Sequence, residues 1–600
     1  MTLQLPHLMI SWYKNTGLDV TLKKTLLLED NGLVIGCDDY KPEPKIFNMG
    51  YETVVVIGCP IINDKIDHEA AAQGWFSDGD DSAFLKKLNG QFILVKTNSK
   101  NNSLVIAGDR FNGIPLYWAD IGDRFIASTL YFDLIKEIKK SKKITFHGEP
   151  MFEFIWLQRV MGEKTYDDFT HFLTAASCLY VDQLGSKISR FWKPDFTNKS
   201  HATEDELGKE FTELLQQSVK RLTSDDKRYG LFLSGGHDSR VLLSAFNKAP
   251  VCFTVGYSDN YEVECARQAA TIVDAEHHYL ELAEDNLIRY QDSMAQLCGG
   301  MFATDNAFFM GLKEKISPYA EVLFHGHAFD YLFQGMYLPS EVVHWFARPT
   351  FFKKLQPIKG DITSYFLNQI SFREKDVPLL NYVLADKKND IESWLYESVQ
   401  DIVDDGDSCC ATDYDRWEYL IVHSLGRHYS RPNIDSKMTI TEQRVASFDN
   451  DLFDYYCHLP TEKRLYAQMM RYTLQHLHPA LANIPTGNYG LPAGGSPLCK
   501  TMMLITRKIR RHLTGNSDLH APDATDRTWP DRDSYIRQHA IYKQRALDAV
   551  RSEHLHTIMP FMDWNKIQKD TDLWLSDVRY GGAKFLVSLM SLDRFINQVD

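Results

Sequence analysis

A chain of 600 residues is too long for one ordinary hydrophobic core, so two or more domains are expected. Its composition, 44% hydrophobic and 24% charged, is that of a globular enzyme and excludes fibrous and disordered classes. A formal net charge of −14 argues against general affinity for nucleic acid or anionic membrane, and neither is expected as a partner.

The first residues, MTLQLPHLMISWYKN, lack the basic head, apolar stretch and small-residue cleavage site of a signal peptide. Apolar runs such as YETVVVIGCP fall far short of the ~20 residues a membrane helix needs, so a cytoplasmic protein is expected. Ten cysteines form no paired framework, and adjacent Cys409 and Cys410 do not suit a zinc-binding pair. They read as reduced, buried thiols.

Residues 1–200 read as a β-rich first domain. ETVVVIG, GQFILVKT, SLVIAGD and RFIAST have the length and apolar content of strands, and TNSKNNSL at 97–104 is a polar turn between two of them. A polar linker falls near 193–203. Thr203 then offers an N-cap to a helix with an acidic first turn, opening a second domain over 201–600. Here strand YGLFLS, helix SRVLLSAFNK, strand PVCFTVGY, helix VECARQAATIV and strand HHYLEL alternate, the pattern of a doubly wound parallel sheet; the chain is of the α/β class. Beyond about 340 it reads as mostly helical. The aromatic region 331–375 reads as core, with a substrate pocket as the rival. The basic run TRKIRRH (506–512) reads as a solvated helix face, with contact to an acidic substrate as the rival.

The chemistry concentrates in LSGGHDSR. A strand ending in Ser234-Gly235-Gly236 and passing straight into a helix aims backbone N–H groups at one point, which suits an anion. Ser234 and Ser239 add hydroxyl donors. Asp238 would repel a phosphate alone, so its role is to hold Mg2+ bridging phosphate oxygens. The Walker pattern is absent.

Ser-Gly-Gly-x-Asp-Ser resembles the pyrophosphate-binding loop of the asparagine synthetase family. FTVGYSDNYEVECARQAATIVDAEHHYLEL, closing on His277 and His278, is similar to that family's next strand, helix and strand. VLFHGHAFDYLFQG resembles its Gly-Glu-Gly-x-Asp-Glu-x-Phe-x-Gly segment, which implies Gly326 at the nucleotide and Asp330 as the second magnesium carboxylate. EQRVASFDNDLFDYY resembles its Glu-x-Arg-x-Pro-Phe-x-Asp stretch through Glu442, Arg444 and Asp449. LNGQFILV and GDRFNGIPLYW resemble the glutaminase domain that precedes the synthetase domain there, which implies an Ntn-hydrolase-like αββα sandwich.

Three departures matter. The family's glutaminase uses an N-terminal cysteine; here residue 2 is Thr2, whose following residues lack the family's glycines. A degenerate glutaminase is implied, with Thr2 as an N-terminal nucleophile activated by its own amine as the rival, and the amine then arrives as free ammonia, from a separate protein, or as an organic amine. His327 replaces the family's base-position Glu, and an imidazole near its ordinary pKa suits a general base; hydrogen bonding within the loop is its other reading. Ala328 and Tyr331 replace a glycine and an acid. No lysine occurs in TGNYG, where the family's late lysine should fall; Lys500 is the substitute chosen, with Arg431, Lys463 and Arg471 as further candidates.

The resemblance implies an ATP- and Mg2+-dependent ligase that adenylates a small-molecule or peptide carboxylate and forms an amide with ammonia or an amine. Intramolecular cyclases of the β-lactam or lasso-peptide type, amidation of a sugar acid, a sulfurtransferase using Cys252 or Cys265, and a catalytically dead scaffold are the alternatives. A homodimer stays open.

Overall fold

The computed structural model describes residues 3, 5–14, 25–30, 33–77, 81–370, 377–423, 425–487, 490–514 and 532–600. Thr2, and Asn488 with Tyr489 of TGNYG, lie outside these residues.

The amino-terminal part is two stacked antiparallel sheets. Its strands are β1 (His7–Tyr13), β2 (Thr25–Asp30), β3 (Leu33–Asp38), β4 (Lys45–Met49), β5 (Glu52–Ile62), β6 (Lys65–Ile66), β7 (Asn89–Asn98), β8 (Ser103–Gly108), β9 (Tyr117–Asp120), β10 (Arg124–Ser128), β11 (Thr170–Phe172), β12 (Ser177–Val181) and β13 (Ser186–Arg190). One sheet runs β11-β9-β10-β1-β3-β2, the other β13-β12-β8-β7-β5-β4, with β6 on β5. Alternation explains the stacking. On β5, Val55 and Ile57 join Leu8, Ile10, Ile35, Ile93 and Ile106 between the sheets. Val54 and Val56 face the other way, onto Ala71, Ala72 and Trp75 of helix His68–Ser77. Helices Tyr131–Ile138 and Gly148–Leu157 cover the first sheet, giving the αββα order expected. Strand β1 was hidden in a stretch read only for targeting signals.

Helix Glu204–Leu222 follows, opened by a capping box in which Thr203 accepts from the Glu206 N–H and the Glu206 carboxylate accepts from the Thr203 N–H. Then come β14 (Tyr229–Phe232), β15 (Val251–Gly256), β16 (His277–Glu281), β17 (Val322–Phe324), β18 (Ser340–Trp345), β19 (Arg348–Leu355) and β20 (Glu442–Arg444). Five of them form one wholly parallel sheet, β16-β15-β14-β17-β20. The chain starts at the central strand, steps outward to β16, and returns to the other side through β17. That reversal puts a crevice at the carboxyl ends of β14 and β17, where ligands bind in open α/β sheets.

Two features depart from the sequence reading. Residues 340–355 are a β-hairpin, β18 paired with β19, within the region expected to be mostly helical. Of the aromatics at 331–375, Tyr331, Phe333 and Tyr337 are buried, yet Phe346 at the hairpin tip is fully exposed. All ten cysteines are free, and every one except Cys499 is buried.

The two parts are joined by buried polar contacts. The Cys59 thiol donates to Glu442, Asn89 donates to Asp449, and Gln91 accepts from the Val445 N–H. The carboxyl-terminal helix Ala583–Val599 folds back onto the amino-terminal helices, stacking Phe595 on Tyr131 with ring centroids 5.5 Å apart.

Candidate active site

The glycine loop sits at the carboxyl end of β14 as expected. Its two glycines are needed for room rather than for left-handed backbone, since neither has positive φ. A Cβ on Gly235 would come within 2.7 Å of the Glu262 carbonyl oxygen. A Cβ on Gly236 would meet only the Ser234 hydroxyl, at 3.1 Å, so that face is open. The Ser234 hydroxyl accepts from the Gly236 N–H at 3.1 Å and lies 3.1 Å from the Ser239 hydroxyl, which itself accepts from the Ser234 N–H at 3.0 Å. Donors and hydroxyls thus converge at the start of helix Asp238–Ser244.

The segment after β17 closes on this loop. A Cβ on Gly326 would stand 2.6 Å from Asp238 Cβ and 2.9 Å from the Ser239 nitrogen. The two motifs touch because residue 326 has no side chain. Asp330, at the start of the short helix Phe329–Phe333, is close enough that its charge helps raise the pKa of Asp238. Burial is the larger cause and lifts Asp238 well above the usual carboxylate range. Burial likewise lifts Asp330, to about 6, against the Tyr331 N–H that donates to it. Among the described residues neither carboxylate has a cationic side chain at ion-pair distance. Paired hard oxygens of this kind fit Mg2+, which commonly takes one or two carboxylates and completes its shell with phosphate and water. Gln334 donates to Asp238. Sequence reading passed over it, although its i+4 spacing from Asp330 marks the same helix face.

Around the loop lie the cations Lys500, Arg240 and Arg471. Lys500, in the first turn of helix Pro497–Thr514, reaches the Ala493 carbonyl at 3.4 Å. Burial first, then Arg471 and Arg240, push its pKa down to about 8. Arg240 donates to the carbonyls of Ile484, Gly235 and Pro485, and Arg471 to that of Tyr466. None of the three has a carboxylate at ion-pair distance among the described residues. His237 sits among them, and burial, then Lys500, holds it neutral with a pKa near 3. The other lysine substitutes lie elsewhere. Lys463 faces Glu204 at 3.8 Å, and Arg431 pairs with Asp435 at 2.7 Å.

His327 is half-buried, with Nε2 3.0 Å from the Tyr331 hydroxyl and its carbonyl accepting from Ser447. Burial, followed by the charges of Lys437 and Arg431, depresses its pKa well below the ordinary value. The expectation of an imidazole near its ordinary pKa is therefore corrected: this ring is neutral at pH 7 and a weak base in the metal-free site. Behind it, Tyr331 packs on His428 at 4.2 Å, and Tyr337 shares a hydroxyl contact with Tyr429. Lys437, unnoticed in the sequence, is buried over the rings of Phe232 and Phe309, and burial lowers its pKa to about 7. Ala328 takes φ +69°, the left-handed backbone at the family's glycine position.

The other matched motifs do structural work. Arg444 pairs with Glu442 and Asp225, both at 2.6 Å, and Asp449 caps helix Asn450–His458 while binding Arg221 at 3.0 Å. His277 meets the Thr254 hydroxyl, and His278 packs on Phe253 and Tyr319. A cavity of about 800 Å³, lined in part by Asp225, Lys227, Tyr229 and Val251, opens at the amino ends of β14 and β15, away from the glycine loop.

Residues 210–483 match the family model for asparagine synthase. Asparagine synthetase [glutamine-hydrolyzing] 1 of Bacillus subtilis is 26% identical over 198 residues, 32% of this chain and 30% of that protein. A Mycobacterium tuberculosis protein described as a glutamine-hydrolyzing asparagine synthetase is 25% identical over 234 residues, 37% of this chain and 35% of that one. The alignments thus span about a third of either relative's length. A glutamine phosphoribosylpyrophosphate amidotransferase from B. subtilis superposes with a TM-score of 0.20 at 11% identity, over 46% of this chain and 59% of that one, too slight a likeness to argue from. The four ordered motifs gathered around one sheet edge all fall within residues 210–483, the part of the chain that matches the asparagine synthase family model.

Proposed function

We propose that this chain is an ATP-dependent, AMP-forming ligase that joins a carboxylate to ammonia or an amine. The observation that carries it is the juxtaposition at the glycine loop of acids and bases that form no ion pairs among the described residues: Asp238 and Asp330 on one side, Lys500, Arg471 and Arg240 on the other. Packed interiors do not keep uncompensated charges of both signs for stability alone. A triphosphate with its metal would satisfy both sets.

In this reading the Gly236 N–H and the Ser234 and Ser239 hydroxyls grip the β,γ-pyrophosphate. Mg2+, held by Asp238 and Asp330, would neutralise phosphate charge. Lys500 and Arg471 face the charge that builds as the substrate carboxylate attacks the α-phosphorus. The bond to pyrophosphate breaks, and an acyl-adenylate replaces a carboxylate too poor an electrophile to react. His327, neutral and bonded to Tyr331, is then placed to take the proton of an amine attacking the acyl carbon, with AMP leaving. The amine comes from outside the first domain: LNGQFILV carries Asn89 and Gln91, whose side chains are committed to Asp449 and Val445 of the second domain, and GDRFNGIPLYW carries Asn112, whose side chain donates to the Leu173 carbonyl.

ATP–pyrophosphate exchange across amino acids, uronic acids and peptides tests the reading. We expect one class to support exchange, and Asp238→Asn to lower it about 100-fold or more with the fold intact. No exchange with any acid, or full exchange in the variant, would contradict it.

A further inference from the structure

The helix Pro497–Thr514 has two faces with different uses. One side carries Lys500 toward the glycine loop and Arg507 onto the Gly490 carbonyl at 2.6 Å. The opposite side is apolar and uncovered. Leu498, Met502 and Ile509 are 53%, 49% and 54% exposed, with half-buried Ile505 between them. Positions 498, 502, 505 and 509 follow i, i+4, i+7 and i+11, one continuous stripe along the helix.

This helix packs on the hairpin β18–β19, tied by the Phe351 N–H donating to the Thr501 hydroxyl at 3.0 Å. The hairpin adds its own exposed apolar groups, Val342 and the fully exposed Phe346 at its tip. Phe346 and Ala347 both take left-handed backbone, φ 49° and 62°, at a turn where Asn and Gly are the usual residues. A phenylalanine there gains nothing from burial within this chain.

Charge singles out the same two elements. Residues 340–355 hold Arg348, Lys353 and Lys354 against Glu341 alone, and residues 497–514 hold five basic residues and no acid. The pair therefore carries a formal net +7 in a chain of formal charge −14, and +5 without Lys500 and Arg507, which lie on the other side of the helix. Arg348, Lys353 and Lys508 are exposed, and none forms an ion pair among the described residues.

We propose that helix 497–514 and the β18–β19 hairpin form a docking surface for an anionic lipid bilayer, on which the protein sits peripherally. No helix among the described residues is long and apolar enough to cross a membrane, so the contact would be interfacial. An uncovered apolar stripe with basic residues beside it, next to an aromatic tip, is the chemistry that inserts at the headgroup boundary while binding its negative charge. A nucleic acid would use the basic residues and leave Leu498, Met502, Ile509 and Phe346 without a role. The expectation from net charge that membranes are excluded averages over a surface this polarised. The Debye length is only about 8 Å at physiological salt, so the local patch governs what happens at contact. This surface is independent of the ligase reading, because none of its exposed residues touches the glycine loop.

Sedimentation of the full chain with phosphatidylcholine vesicles, with and without about one third phosphatidylserine, is the test. We expect binding to the anionic vesicles only, weakened by high salt. Arg348→Glu with Lys508→Glu should reduce it at least about tenfold, and Met502→Asp with Ile509→Asp should do the same. Both double variants should keep the wild-type circular dichroism. The charge pair lies wholly on the surface, which keeps the test sound if the apolar pair misfolds. Failure to bind either vesicle, unchanged binding by the charge variant, or preferred binding of single-stranded DNA would overturn the proposal.

Discussion

At the scale of single residues, the site is held in an electrically unfavourable state that its ligands would relieve. Burial lifts Asp330 to about 6, and burial with the Asp330 charge lifts Asp238 well above the usual carboxylate range, so holding both carboxyls ionised is unfavourable in the folded protein unless a cation joins them. Asp330→Asn removes one charge while keeping the shape. We expect it to stabilise the metal-free protein by roughly 1 kcal/mol or more, and to abolish the rise in thermal midpoint that Mg2+ gives the wild type. Equal Mg2+ stabilisation of both proteins would place the metal elsewhere. Lys500 makes the opposite bargain. Its pKa is lowered to about 8, so the ammonium proposed to attract phosphate is present below that pH and is lost as pH rises through it. The kcat/KM for ATP should therefore fall above pH 8. Lys500→Arg, whose charge persists, should shift that fall to much higher pH, and an unchanged pH profile in the variant would remove Lys500 from the phosphate site.

At the scale of elements, function depends on how closely two loops approach. Gly326 allows the β17 segment to rest on Asp238, and a methyl there would meet main chain rather than a yielding side chain. Gly326→Ala should cost about 1–3 kcal/mol in stability and about 100-fold in pyrophosphate exchange, because a displacement near 1 Å at reacting groups has that effect. Stability lost with exchange retained would show that the approach is structural only. Much of this arrangement was legible in the sequence. Strand β14 is apolar because both its faces are covered, and Ser-Gly-Gly-x-Asp-Ser follows it without a linker. Asp330 was singled out through the resemblance of VLFHGHAFDYLFQG to a family segment, and the fold sets it close enough to Asp238 for their charges to interact. What escaped depended on distant neighbours. Gln334 and Lys437 have ordinary sequence surroundings and acquire meaning only when folding brings Asp238 to one and Phe232 with Phe309 to the other. His327 was found but its proton affinity misjudged, since a pKa is a property of the finished cavity. The hairpin at 340–355 was obscured because aromatic residues suit core, pocket and strand alike.

At the scale of the whole molecule, the amino-terminal part is a structural partner of the part that carries the glycine loop rather than an appendage. Arg431 is 1% exposed, donates to the carbonyls of Asn112 and Gly113 at 3.2 and 3.0 Å, and pairs with half-buried Asp435. Asn89 and Gln91 are spent on Asp449 and Val445, and Phe595 of the last helix packs among Tyr131, Phe132, Phe146 and Tyr166. A cut at residue 200 would strip both partners from these groups and expose the apolar face of helix Ala583–Val599. Unfolding should therefore be a single transition in urea, followed alike by tryptophan fluorescence and circular dichroism. Arg431→Ala should lower stability by about 3–5 kcal/mol, because it leaves half-buried Asp435 without its cation. Residues 201–600 expressed alone should be aggregated or lack near-ultraviolet dichroism. A soluble, natively packed 201–600 fragment, or two separate transitions in the intact chain, would mean that the contacts between the parts are too weak to couple them. Coupling of this strength gives the amino-terminal part a structural role: the crevice at the glycine loop, whose β20 edge is held by Cys59 and Gln91, depends on it for its shape.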